Sequence, residues 1–214
     1  MQIAIPIFER FTALDAIGPY DVLSRLPGAR VTFVAAERGP VRSDNGMLAI
    51  VADATLAEMP APDVLVMPGG YGTRPLLTDE TMLDWVRGVH ATSTWTTSVC
   101  TGSLVLAAAG ILEGREATTH WAARDELERL GSPYVERRVV QHGKVLMGAG
   151  VSAGIDMALT LAAQIGGDEV AQAIQLYIEY DPQPPFDSGA PSKAPASVLA
   201  LAARAGAKEQ VPAS

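Results

Sequence analysis

The sequence predicts an α/β fold with a mainly parallel, twisted sheet covered by helices on both faces. Short apolar runs rich in β-branched residues alternate with longer helical patterns, which is how successive β-α-β units read in sequence. Three glycine-rich corners also fall at predicted strand ends, at residues 68–72, 100–102 and 148–154. In an open α/β sheet the ligand crevice lies beyond the carboxyl ends of the strands, so these corners are candidate walls of a site.

Taken in order, residues 2–7 form an apolar strand, a helix runs from about Thr12 to Leu26, and residues 29–36 return as a second strand. Residues 64–67 make a third strand that stops at Pro68-Gly69-Gly70, and a helix over about 79–91 follows. The strand at 94–99 runs into Cys100, and the segment after it, 102–109, has strong helix propensity. A short extended piece at 117–119 precedes a helix at 122–130. Residues 135–141 and 144–148 then pair as a hairpin, and a helix at 154–165 closes the pattern. One domain over residues 1–197 is expected for a chain of 214 residues, with 198–214 as a C-terminal helix or tail, solvated at its end. Residues 181–195, dense in proline, glycine and serine, read as a surface strap.

A chain 48% hydrophobic and 19% charged is globular in composition, and no run reaches the roughly 18 to 20 apolar residues of a membrane helix. No basic leader or cleavage site precedes the first strand, so the cytoplasm is the expected compartment. A net charge of -8 disfavours a phosphate-backbone partner, because nucleic-acid binding is driven by clustered Lys and Arg. The single cysteine excludes an internal disulfide, and the spacing of His90, His120 and His142 matches no zinc site, so metal-free chemistry is expected.

Cys100 sits where a strand passes directly into a helix, the pattern of a nucleophile elbow. Such a turn lifts the side chain toward the crevice, and the following helix N-terminus favours thiolate, so a lowered thiol pKa is predicted. The plain alternative is an inert buried cysteine. Thr101 is either a helix cap or a hydroxyl aimed at substrate. Gly69, Gly70 and Gly72 leave backbone N–H groups unobstructed and could face a developing charge, although glycine turns after strands are common. Asp15, set among apolar residues beside Gly18-Pro19, is a helix cap or a carboxyl whose desolvation lets it supply a proton. His120 could act as a base toward the cysteine, but a histidine beside an aromatic residue is more often structural, and it ranks second.

Several blocks together resemble the ThiJ/PfpI superfamily, which is class I glutamine amidotransferase-like, and in combination its isocyanide hydratase branch. They are Leu14-Asp15 with Gly18-Pro19, Pro68-Gly69-Gly70, the run from Thr97 through Cys100 to Ser103, Ala117 through Trp121, Gly154-Ile155-Asp156, and Gln175-Leu176 through Pro184-Pro185-Phe186. The resemblance implies a flavodoxin-like three-layer α/β/α sandwich that forms a homodimer. It also implies Cys100 as nucleophile, Asp15 as the acid beside it, and a glycine corner at Gly69, Gly70 and Gly72. The implied activity is hydration of an isocyanide to an N-substituted formamide through a covalent thioimidate, with no metal or organic cofactor. Thr101 and the corner would position substrate or water, and Gly150-Val151-Ser152 would wall the sulfur. Two departures bear on chemistry: other branches carry glutamate where Asp15 stands, and peptidase-like members carry histidine after the cysteine where this chain has Thr101. Related AraC-type regulators share the core but append a DNA-binding module too large for the segment after Pro195. The alternatives left open are a cysteine enzyme acting on glyoxal-type aldehydes and a non-catalytic redox or ligand sensor.

Overall fold

Along the chain the elements are β1 (Gln2–Pro6), α1 (Ala13–Leu23), β2 (Arg30–Ala35), β3 (Gly39–Arg42), β4 (Ala49–Ala52), β5 (Ala54–Thr55) and β6 (Val64–Met67). There follow α2 (Thr73–Leu76), α3 (Glu80–Thr92), β7 (Trp95–Val99), α4 (Gly102–Ala108), a 3₁₀ turn (Trp121–Ala123) and α5 (Arg124–Arg129). The last elements are β8 (Val139–His142), β9 (Val145–Gly148), α6 (Ala153–Gly166), α7 (Asp168–Tyr177) and α8 (Ala196–Glu209). This computed structural model describes the backbone of residues 1–209 and side chains through residue 206; residues 210–214 of the expected tail lie outside the described residues.

Seven strands form one sheet in the order β5-β2-β1-β6-β7-β9-β8, parallel throughout except for the antiparallel edge strand β8. Counting only the long parallel strands, the order is 2-1-3-4-5, the flavodoxin-like arrangement. The central strands are apolar because both faces are covered: β6 and β9 are buried at every position. Helices α1, α6 and α7 pack as one layer, and α2 to α5 as another, which makes the three-layer sandwich. The buried hydrophobic residues form one cluster running from Ile3 to Ile174.

Two sequence blocks prove to be packing devices. A Cβ on Gly18 would lie 3.1 Å from Ile155 Cγ1, and one on Gly154 would lie 3.0 Å from Val99 and 3.4 Å from Pro19, so small residues let α1 and α6 approach each other and β7. Asp156 is bound by Arg138 and by the Tyr180 hydroxyl, 3.1 Å away, which anchors the chain leaving α7.

The hairpin of 135–148 forms, with pairing confined to β8 and β9, and the helix expected from Thr12 starts after it and ends at Leu23. No element is expected from sequence between residues 36 and 64; there residues 39–52 build a separate antiparallel pair, β3 with β4, turned at Asn45-Gly46, and β5 joins the edge of the main sheet. Gly46 has φ +71°, the backbone that an Asn-Gly hairpin turn favours. Helix α7 is likewise an addition. Among the described residues, no helix is long and apolar enough to cross a membrane.

Candidate active site

Because β6, β7 and β9 are neighbours in the sheet, the three glycine-rich corners at their carboxyl ends meet. Cys100 stands on the middle one, between β7 and α4, with φ +57°. A non-glycine residue in this left-handed region costs on the order of 1–3 kcal/mol and persists only where its surroundings fix it. Here they do. The Cys100 N–H donates to the Gly148 carbonyl at 3.1 Å, and the Cys100 carbonyl accepts the hydroxyls of Ser103 at 3.0 Å and Thr119 at 3.1 Å. A Cβ on Gly102 would lie 2.1 Å from the Met67 carbonyl oxygen, so only glycine can follow this close to β6.

Asp15 is fully buried in the first turn of α1 and does not cap it. Its Oδ2 accepts the Gly69 N–H at 2.9 Å, while Oδ1 is buried with no hydrogen-bond partner among the described residues. Gly69 is the wedge between this carboxyl and the elbow, since a Cβ there would lie 2.5 Å from Thr101 N and 2.9 Å from Asp15 Oδ2. Thr101 occupies the N-cap position of α4 without capping it. Its hydroxyl accepts the Gly70 N–H at 2.9 Å and donates to the Gly70 carbonyl at 3.1 Å, which ties the elbow to the glycine corner.

The three glycine N–H groups therefore do not face a substrate. Gly69 serves Asp15, Gly70 serves Thr101, and the Gly72 N–H donates to the Arg10 carbonyl at 3.1 Å. The donors that lie against the Cys100 sulfur are the backbone N–H groups of Thr101 and Val151. The corner shapes the crevice, and the N–H groups beside the sulfur come from the elbow and from the turn after β9.

Burial raises the Asp15 carboxyl to about 7; the Gly69 N–H and the Cys100 thiol pull it down in part, and Asp44 pushes it up. The helix N-terminus that follows Cys100, taken alone, predicts a lowered thiol pKa. Burial, with the thiol 4% exposed, and then the negative charge of Asp15 instead raise it well above the ordinary value, against the opposing pull of the Thr101 and Val151 N–H groups. Above about pH 7 Asp15 is an anion beside the thiol, so alkylation of Cys100 is expected to show a midpoint above the ordinary thiol value of about 8.5. Asp15→Asn removes that anion and is expected to lower the midpoint. An upward move in the variant would mean that Asp15 instead stabilises the thiolate by donating to it.

His120 lines the same crevice as Cys100 and Thr101. Its Nδ1 accepts the Ala122 N–H at 3.3 Å, which leaves the proton of the neutral ring on Nε2, and burial together with Arg74 lowers its pKa. A ring in that state donates from Nε2, so it does not match the base considered from sequence. Arg74 is paired with Glu126 at 2.9 Å and rims the opening with Asp44. The crevice measures about 590 Å³, enough for a small molecule. Among the described residues no three His, Cys, Asp or Glu side chains converge in a way that would hold a metal ion. Thr119, Tyr71 and helix α8 were not singled out from sequence as parts of the site. The Thr-Thr-His-Trp block held the signal for Thr119, whereas nothing local marks α8.

Residues 1–164 match the model of the DJ-1/PfpI family. An isonitrile hydratase of Pseudomonas putida is 48% identical over 199 residues, which cover 93% of this chain and 87% of that protein. The HTH-type transcriptional regulator CdhR of Pseudomonas aeruginosa is 31% identical over 78% of this chain, which spans only 50% of the regulator. Among solved structures, a ThiJ/PfpI family protein from Pseudomonas syringae superposes with a TM-score of 0.92 at 39% identity, covering 98% of this chain and 87% of that one.

Proposed function

The chain belongs to the DJ-1/PfpI family, and from that premise we propose that it is an enzyme that hydrates isocyanides to N-substituted formamides, with Cys100 as nucleophile and Asp15 as the proton carrier. The observation that carries the reading is the pairing of a strained, buried thiol with a buried carboxyl that has an unserved oxygen, in a chain 48% identical to an isonitrile hydratase.

The chemistry needs one nucleophilic electron pair and one proton delivered to the same carbon. Cys100 and Asp15 are coupled, and the pair holds one proton between its two losses. As the sulfur pair forms the S–C bond to the terminal isocyanide carbon, that proton forms the new C–H bond, and the product R–N=CH–S–Cys100 is a neutral thioimidate. The ionised Asp15 then takes a proton from water as the oxygen adds to the thioimidate carbon. Proton return to nitrogen and departure of sulfur release R–NH–CHO and restore the pair. A carboxyl near 7 is suited to both directions of transfer at neutral pH. The N–H groups of Thr101 and Val151 stabilise the sulfur when it carries negative charge, and Thr101 holds Gly70 in place.

The test is incubation of the protein with an alkyl isocyanide and, separately, with methylglyoxal. Formamide from the first and no lactate from the second is the expected result; lactate alone would assign the site to glyoxal-type aldehydes, and neither product would point to a sensor. We place the enzyme in the cytoplasm, where reducing conditions keep its one thiol free. We also infer a homodimer: Met47, Leu48 and Val51 on the β3–β4 hairpin are 83%, 42% and 56% exposed, an apolar surface that a second copy would cover. Sedimentation at micromolar concentration is expected to give twice the chain mass, and a monomer would overturn the inference.

A further inference from the structure

Residues 198–214 read in sequence only as a helix or tail, yet α8 contributes to the wall of the crevice that holds Cys100. Ala202, Ala203, Ala205 and Gly206 form part of its lining together with Thr101 and Trp121. Their side chains are the smallest available, so the free space in front of the sulfur depends on where this helix backbone sits.

Its position is fixed by the glycine corner itself. Tyr71, between Gly70 and Gly72, donates its hydroxyl to the Gly206 carbonyl at 2.8 Å across 135 positions of sequence. The Arg10 and Arg74 guanidiniums each lie 5.6 Å from the Tyr71 ring centroid, which holds the ring in one orientation. Contact is close, because a Cβ on Gly206 would come within 3.1 Å of the Tyr71 oxygen. Among its described residues α8 is mostly exposed, with Leu201 68% and Val198 41% open.

We propose that α8 is the wall that sets how large an N-substituent the isocyanide can carry, and that the Tyr71–Gly206 hydrogen bond fixes the distance of that wall from Cys100. The choice of substrate rests on the isocyanide reading; the geometry of the wall does not. A small or slender substituent fits beneath the alanines, and a bulky one requires the helix to move outward.

The experiment compares methyl isocyanide with cyclohexyl isocyanide in the wild type, Ala203→Phe and Tyr71→Phe. The same three proteins are alkylated at Cys100 with iodoacetamide and with N-cyclohexylmaleimide. Filling the wall with Ala203→Phe is expected to lower the cyclohexyl-to-methyl ratio of kcat/KM by at least about tenfold, the scale on which a pocket discriminates added carbon atoms. Releasing the wall with Tyr71→Phe is expected to raise that ratio about threefold, with the maleimide-to-iodoacetamide ratio moving in the same sense in each variant. Ratios unchanged in both variants while wild-type turnover is normal would overturn the wall. Alkylation ratios that move as expected in a protein that hydrates no isocyanide would uphold the wall and overturn the isocyanide reading.

Discussion

Cys100→Ser is expected to abolish formamide formation, with kcat/KM reduced by at least about 10³-fold, while the folded structure is kept. Serine is close in size to cysteine, and the left-handed backbone at φ +57° is fixed by Gly148, Ser103 and Thr119, none of which bonds to the side chain. What changes is the nucleophile: a hydroxyl in the same buried place has a far higher pKa and a less polarisable lone pair. Mass spectrometry of the wild type during turnover should detect an adduct at Cys100 equal to the mass of one isocyanide, and the variant should show none. Turnover above about one hundredth of wild type in Cys100→Ser would remove the thiol from the mechanism, since loss of a true nucleophile costs far more.

The parts of this site legible in sequence were those set by local rules. The elbow follows from a strand meeting a helix at Cys100, and the meeting of three corners follows from parallel strands ending at the same edge of the sheet. Asp15 was visible as an acid in an apolar setting, but its cap and acid readings could be told apart only by seeing Oδ2 on Gly69 and Oδ1 without a partner. The rest was nonlocal. Whether the N–H groups of Gly69, Gly70 and Gly72 are free depends on Asp15, Thr101 and Arg10, which reach them from other segments. The thiol pKa was misjudged because a helix N-terminus is written in the local sequence and burial beside a distant carboxyl is not. Helix α8 reaches the crevice by a bond between distant segments, Tyr71 to Gly206, that no periodicity encodes.

Asp15→Asn is expected to fold normally and to lose at least about a hundredfold in formamide formation, because general acid–base groups typically contribute about 10² to 10⁴ in rate. The asparagine oxygen can still accept the Gly69 N–H, so the wedge at the glycine corner survives while the transferable proton does not. Stability should move separately from activity. The folded carboxyl titrates at about 7 against the usual aspartate value of 3.8, a raised pKa, so its favourable contribution is fully present below 3.8 and is lost as pH rises through about 7. That difference corresponds to about 4 kcal/mol across the window. Wild-type Tm is therefore expected to fall from about pH 4 to pH 7 more steeply than that of Asp15→Asn, which lacks the titrating group. Parallel Tm curves would show that Asp15 is not the buried acid described here. Turnover above about a tenth of wild type would leave its burial intact but take the proton transfer away from it, and water would then have to supply the proton to the isocyanide carbon.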